Sequence, residues 1–116
     1  MRAGRLRHLI TFEELVNSTD SDGALVETWV PAFNGKKIWA EINYTSGREI
    51  QAADAVQVRT VAKIRIRFRE GVKETMRIRH QKRSEVKLFN IESILFDSHT
   101  GNRDIVMPVN YGLNQH

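Results

Sequence analysis

The strict alternation of apolar and cationic side chains over residues 64–69 constrains the fold more than any other stretch. Ile64, Ile66 and Phe68 fall on one side, and Arg65, Arg67 and Arg69 fall on the other. A period of two is typical of a β-strand with one buried and one solvated face. Residues 76–79 repeat the pattern as Met-Arg-Ile-Arg. We therefore expect these two segments to pair as an antiparallel hairpin.

Further β-strands are predicted on both sides of this pair. The segments are residues 8–14, 26–30, 38–44, 86–91, 94–96 and 105–107, with polar or glycine-containing turns between most of them. Residues 25–44 are either one long bent strand or two short ones, and the same choice applies to residues 86–96. With adjoining segments merged, about six strands result. We expect a mainly β protein that closes as a small antiparallel β-barrel, with a sandwich as the alternative, because closure removes exposed strand edges.

The chain changes period once, directly after the strand at residues 38–44. Ser46 is suited to cap a helix and Glu49 completes a capping-box pattern. Ile50, Ala53 and Val56 then recur at helical spacing. One short α-helix is therefore predicted between the second and third strands, counting residues 25–44 as the second.

This strand-to-helix junction is the candidate assembly interface. Its residues are Trp39, Glu41, Ser46, Gly47, Arg48 and Glu49. Trp39 is equally compatible with a plain core position. Arg48 and Glu49 either cap the helix or bridge to a neighbouring subunit.

Composition limits the chemistry that the chain can perform. A length of 116 residues predicts one domain, residues 1–116, with about six N-terminal residues and residues 109–116 loosely held. The absence of cysteine excludes disulfides, thiolate nucleophiles and cysteine-ligated zinc. The histidines lack metal-ligand spacing, and the glycines stand singly rather than in a phosphate-binding loop. We expect no enzyme activity, no cofactor, no metal, and no contact with a membrane.

The charge pattern defines a second candidate surface. The formal net charge is +4, and the expected hairpin would place five arginines on one sheet face: Arg65, Arg67, Arg69, Arg77 and Arg79. One interpretation is a solvated face neutralised by Glu70, Glu74 and Glu85. The other is a basic docking face for an acidic protein surface or for nucleic-acid phosphates.

An ordered set of motifs resembles the bacteriophage head–tail joining family. Residues 1–12 match its Ala-Gly-Arg-Leu start and Ile-Thr strand. Trp29, the Trp-Ala-Glu strand at 39–41 and the Ser-Gly-Arg-Glu helix start at 46–49 follow in the family's order. Residues 66–69, 71–72 and 76–78 continue it. Residues 81–84 lack the glycine usual in the family, and the C-terminal end matches poorly.

The resemblance implies a structural virion protein of a tailed phage or prophage, a head-completion or stopper protein. It implies a barrel that forms a homo-oligomeric ring below the portal, extends or closes the DNA channel and provides a platform for tail docking. The implied partners are further copies of the chain, a portal or adaptor ring, a tail-completion or tail protein, and packaged double-stranded DNA. Assembly in the bacterial cytoplasm and residence at the head–tail interface follow from it. The alternative function is an OB-like nucleic-acid-binding barrel, which the basic charge, Trp29, Trp39 and Phe68 suggest.

Overall fold

The computed structural model describes residues 6–45, 60–97 and 103–111. These residues contain eight β-strands. Their bounds are β1 (His8–Thr19), β2 (Leu25–Pro31), β3 (Ile38–Tyr44), β4 (Ala62–Arg67), β5 (Arg77–Lys82), β6 (Glu85–Ile91), β7 (Leu95–Asp97) and β8 (Asp104–Asn110).

Six of these strands form a closed antiparallel barrel. The order around the wall is β1-β3-β4-β8-β6-β5, and β5 pairs back onto β1. β2 adds to the edge of β1, and β7 adds to the edge of β8. The predicted mainly β class and barrel architecture are confirmed.

The barrel interior is filled by alternate residues of each wall strand. Phe12, Ile64, Ile78, Phe89 and Met107 are each completely buried. On β4 the predicted inward side is correct, since Ile64 and Ile66 are buried while Lys63 and Arg67 face outward. The period of two therefore sets which side chains build the core.

The prediction that residues 64–69 and 76–79 pair as a hairpin is wrong. β4 pairs with β3 and β8, whereas β5 pairs with β1 and β6. In the closed order, β4 and β5 lie three strands apart in either direction, on opposite walls. Alternation identifies the buried face of a strand but contains no information about its neighbour, and both segments have the same alternation.

Both ambiguous segments prove to be interrupted strands. β2 and β3 follow one another along the same edge of β1, separated by a 3-10 turn at Phe33–Gly35. Phe33 and Asn34 adopt left-handed backbone angles there, with φ of 54° and 56°. β6 and β7 likewise follow one another along β8. Each interruption therefore separates two segments that pair with the same strand.

The predicted helix and the predicted C-terminal tail differ in how the structure tests them. The predicted helix and four residues of the predicted assembly interface, Ser46 to Glu49, lie outside the described residues. At the other end, Val109 and Asn110 are buried within β8, so the loose tail was predicted to begin too early. Tyr111 follows and stacks on Phe89 with ring centroids 5.4 Å apart.

In the described part of the chain, no helix is long and apolar enough to cross a membrane.

The β1–β2 hairpin extends beyond the barrel wall. β5 covers β1 only as far as Glu13, while β2 pairs with β1 from Glu13 to Thr19. Residues 14–19 and 25–30 therefore form a two-stranded ribbon, which we call the arm. All of its side chains are exposed or half-buried, so the burial alternation of the barrel strands does not continue into the arm.

Candidate assembly surfaces

A groove opens on the outer wall where β3 and β4 separate. The ladder between these strands ends at the Glu41–Arg65 pair, two residues short of Trp39 and Arg67. The resulting space has a volume of about 490 Å³ and is lined by residues 36–39, residues 67–69 and Leu6. We call it the β3–β4 groove. Because the strands no longer pair there, backbone and side chains of both walls face the opening.

The β3–β4 groove is both apolar and cationic. Trp39 is 54% exposed and Phe68 is 38% exposed. In the described part of the chain its charged lining residues are Lys36, Lys37, Arg67 and Arg69, with no carboxylate among them. Among the described residues, no salt bridge involves these four cations. Such a surface suits a ligand that combines apolar side chains with negative charge.

The described members of the predicted assembly interface have separate environments. Trp39 points outward into the β3–β4 groove, so the alternative of a core position is wrong. Glu41 lies 3.6 Å from Arg65 Nε and is mostly covered. The assembly role of this junction remains a prediction.

The five arginines do not share a face, and two of them are neutralised across strands. Arg65 lies 3.2 Å from the buried carboxylate of Asp104, as well as beside Glu41. Arg77 donates to Glu13 over 2.6 Å. The acidic partners are thus Glu13, Glu41 and Asp104 rather than the expected glutamates at 70, 74 and 85.

The remaining arginines divide between two walls. Arg67 and Arg69 line the β3–β4 groove, and the Arg69 guanidinium lies 4.5 Å from the centre of the Phe33 ring. Arg79 is on β5, across the barrel. The docking function of this set remains a prediction, and only Arg67 and Arg69 have a shared site for it.

The arm has a fixed base and a compact tip. At the base, Arg77 binds Glu13 and places its guanidinium 4.3 Å from the centre of the Trp29 ring. At the tip, one carboxylate oxygen of Asp20 accepts the backbone N–H groups of Asp22 and Ala24, each over 2.9 Å. Gly23 takes a φ of 84° in this turn. Asp20 and Asp22 therefore close a turn.

A second surface is formed by residues of β1, β3, β5 and β6, among them His8, Tyr44 and His80. His80 is buried and meets His8 edge to face, with ring centroids 5.2 Å apart. Burial lowers the pKa of His80, and the nearby positive charges of His8, Lys87 and Lys82 lower it further. Lys87 donates to the Tyr44 hydroxyl over 3.3 Å, and this bond raises the pKa of Lys87. Within residues 6–45, 60–97 and 103–111, no cluster of three or more histidine or acidic side chains could hold a metal ion.

Sequence reasoning missed the arm and most of the β3–β4 groove. Lys36 and Lys37, which precede the predicted strand at residues 38–44, form one groove wall. The arm did have a sequence signal, because residues 8–35 contain five acidic residues and no lysine or arginine. This acidic stretch lies in a basic chain, and charge asymmetry of this kind often marks an interaction surface.

Comparison with known proteins finds solved structures with the same fold. A solution structure of protein SF1141 from Shigella flexneri 2a is 28% identical, with a TM-score of 0.66 over 98% of this chain and 99% of that one. A chain from the virion of a native gene transfer agent particle is 21% identical, with a TM-score of 0.59 over 91% of this chain and 94% of that one, and shows the same fold. No curated protein matches significantly.

The family assignment depends on a match over nearly the whole sequence. The model of the phage head completion proteins matches residues 1–109, which include the N-terminal motif, the arm, the groove and almost all of the last strand. This chain therefore belongs to the phage head completion protein family, the structural proteins that complete the heads of phage particles.

Proposed function

We propose that the protein joins head to tail in a tailed phage or prophage. Copies of the chain form a ring below the portal that extends or closes the DNA channel and provides the platform on which the tail docks. The observation that carries this proposal is the family match across residues 1–109. The partners are other copies, a portal or adaptor ring, a tail-completion or tail protein, and the packaged double-stranded DNA. Assembly takes place in the host cytoplasm, and the product resides at the head–tail interface of the virion.

The architecture supports a role in assembly. The barrel interior is filled with apolar side chains, so the exposed chemistry lies on the outer wall and on the arm. Both of these surfaces combine apolar groups with charge, as protein interfaces commonly do. The description of the gene transfer agent chain as part of a virion supports placing this barrel in a particle. Membership in a family of structural proteins supports a role without catalysis.

Reconstitution with neighbouring connector proteins tests the proposal. Purified protein is mixed with the portal and adaptor proteins encoded beside it and imaged by negative-stain electron microscopy. We expect an added ring of density on the connector. The added ring density is then compared between two variants. Trp39→Ser removes an exposed groove side chain, and Lys63→Ser changes the outer face of β4 outside the groove. An unchanged connector in the presence of the wild-type protein contradicts the proposed function.

A second candidate function is supported by one feature of the β3–β4 groove. Trp39 and Phe68 are exposed beside Arg67, and aromatic rings next to cations are the arrangement that binds single-stranded nucleic acid. Fluorescence anisotropy with a labelled oligonucleotide tests it. Binding that weakens with salt would favour this alternative, provided that the salt slope falls by about one in Arg67→Ala. The slope should not fall in Lys63→Ala, which removes one positive charge from β4 outside the groove. Flat anisotropy at low salt eliminates it.

A further inference from the structure

We propose that the arm of one copy of this chain inserts into the β3–β4 groove of a second copy. The contact is head-to-tail, because the arm of one copy and the groove of the next are different surfaces of the chain. The inference rests on the proposed ring and names the surfaces that would build it. Two observations carry it: the exposed apolar ribbon of the arm, and the opposite charges of the arm and groove.

The arm exposes apolar side chains on both of its faces. On one face, Leu15 is 42% exposed opposite Trp29. On the other face, Val26 is 37% exposed opposite Ser18. Leu25, near the tip, is 79% exposed. A two-stranded ribbon with uncovered apolar residues is marginally stable alone, so a partner surface that covers it adds stability.

The charge of the arm is opposite to that of the protein. The arm and its tip contain Glu14, Asp20, Asp22 and Glu27 and no lysine or arginine, a formal charge of −4 in a chain whose net charge is +4. Among the residues that the structure describes, the groove lining contributes four cations and no carboxylate. Complementary charges of this kind steer association and select the partner.

The shapes of the two surfaces also correspond. β2 is the outermost strand of the sheet order, so one edge of the arm is unpaired by any described strand. The groove begins where the β3–β4 ladder stops, so its walls present strand backbone beyond Glu41 and Arg65. An incoming strand edge can hydrogen-bond to backbone in such an opening while its side chains contact Trp39 and Phe68.

The arm is already held in a defined shape before it binds. The Arg77 contacts to Glu13 and Trp29 fix its base, and the Asp20 carboxylate fixes its tip. Preorganisation reduces the conformational entropy lost on association. A head-to-tail contact repeated between copies produces a ring when its rotation closes.

A second copy fits the arm better than nucleic acid does. Phosphates would be repelled by Glu14, Asp20, Asp22 and Glu27, whereas the cationic groove attracts these side chains. Nucleic acid could enter the groove alone, but that would leave the apolar arm uncovered. Oligonucleotide binding at the groove, with no contact from the arm, would therefore overturn the proposal.

Site-directed disulfide cross-linking gives the first test, because the natural chain has no cysteine. A tagged Leu25→Cys protein is mixed at high concentration with an untagged Lys37→Cys protein under mild oxidation. We expect a mixed dimer as the main cross-linked product. The control replaces Lys37→Cys by Lys63→Cys, which lies at the opposite end of β4 from Arg67. Equal yields with Lys37→Cys and Lys63→Cys overturn the proposal.

Charge reversal gives the second test. Glu14→Lys with Glu27→Lys makes the arm basic, and Lys37→Glu with Arg67→Glu makes the groove acidic. We expect each double variant to self-associate at least about tenfold more weakly in sedimentation velocity. Mixing the two variants restores association, because the basic arm then faces an acidic groove. No change in either variant, or no recovery on mixing, overturns the proposal.

The proposed function and this contact fail in different ways. If the wild-type protein joins a connector and the reversed variants join it equally well, the ring is held by other contacts and the function stands. If the cross-link forms but the protein never joins a connector, the arm contact stands and the proposed function fails. Oligonucleotide binding abolished by the groove variant but not by the arm variant identifies nucleic acid as the occupant.

Discussion

Arg65 and Arg67 provide a matched test of how the barrel wall is stabilised. Both lie on the outer face of β4, two residues apart. Arg65 lies between Glu41 and the carboxylate of Asp104, whose side chain is only 8% exposed. Arg67 has no such carboxylate partner among the described residues. Replacing Arg65 by methionine therefore leaves a buried negative charge without its main partner, whereas Arg67→Met does not.

The stability lost in Arg65→Met follows from how deeply Arg65 and Asp104 are buried. Breaking a fully buried ion pair costs about 3–5 kcal/mol, and breaking an exposed pair costs at most about 1 kcal/mol. The Arg65 side chain is 28% exposed, so solvent screens part of the interaction. We expect Arg65→Met to lower the free energy of unfolding by about 2 kcal/mol and the melting temperature by about 8 °C. Arg67→Met should change the unfolding free energy by less than about 0.5 kcal/mol.

Urea unfolding followed by tryptophan fluorescence measures both variants. Adding Asp104→Asn to Arg65→Met should cost less than the sum of the single changes, because the unpaired charge is removed. Equal losses for Arg65→Met and Arg67→Met would refute the reasoning. Strict additivity of Arg65→Met and Asp104→Asn would show that the 3.2 Å contact contributes nothing.

Two further predictions concern a tight turn and a buried histidine. Gly71 and Gly23 both take a positive φ, 92° and 84°, so an alanine strains the backbone similarly at the two sites. A Cβ at Gly71 would lie 3.1 Å from Cε1 of Phe33, whereas no atom lies within 4 Å of one at Gly23, so Gly71→Ala should cost about 1–2 kcal/mol more than Gly23→Ala. Equal urea midpoints for these two variants would contradict the contact. His80 has a lowered pKa in the folded protein through burial and the charge of His8, so the unfolded chain binds the proton more readily. Stability should therefore be complete above about pH 6.5 and fall as the pH drops below it. Between pH 8 and 5.5, His80→Gln should lose less stability than the wild type, and an equal loss would exclude this histidine as the cause.

The inward and outward sides of β4 were predictable from sequence, but its neighbours were not. Alternation placed Ile64 and Ile66 in the core and Arg67 outside, as observed. The same alternation at Met76 and Ile78 suggested a local hairpin, yet β5 joins β1 and β6. Pairing in a closed barrel depends on which strands complete the wall, and that information is distributed over the entire chain.

The candidate surfaces were only partly predictable for a related reason. Trp39 was recognised as a possible interface residue, but its exposure depends on where the ladder of Glu41 and Arg65 ends. That ending brings Lys37 and Arg67 together, although they are thirty residues apart in sequence. The arm could not be predicted from periodicity, because only the pairing shows that β5 stops at Glu13 while β1 and β2 continue together.

The central claim, that this chain forms a ring between head and tail, is tested most directly by cryo-electron microscopy of particles of the phage whose genome encodes it. We predict that the barrel is found as a ring at the head–tail vertex, below the portal and around the DNA channel. In that ring, density for the arm of each copy should reach the β3–β4 groove of its neighbour. Absence of the barrel from the head–tail vertex of intact particles would contradict the account.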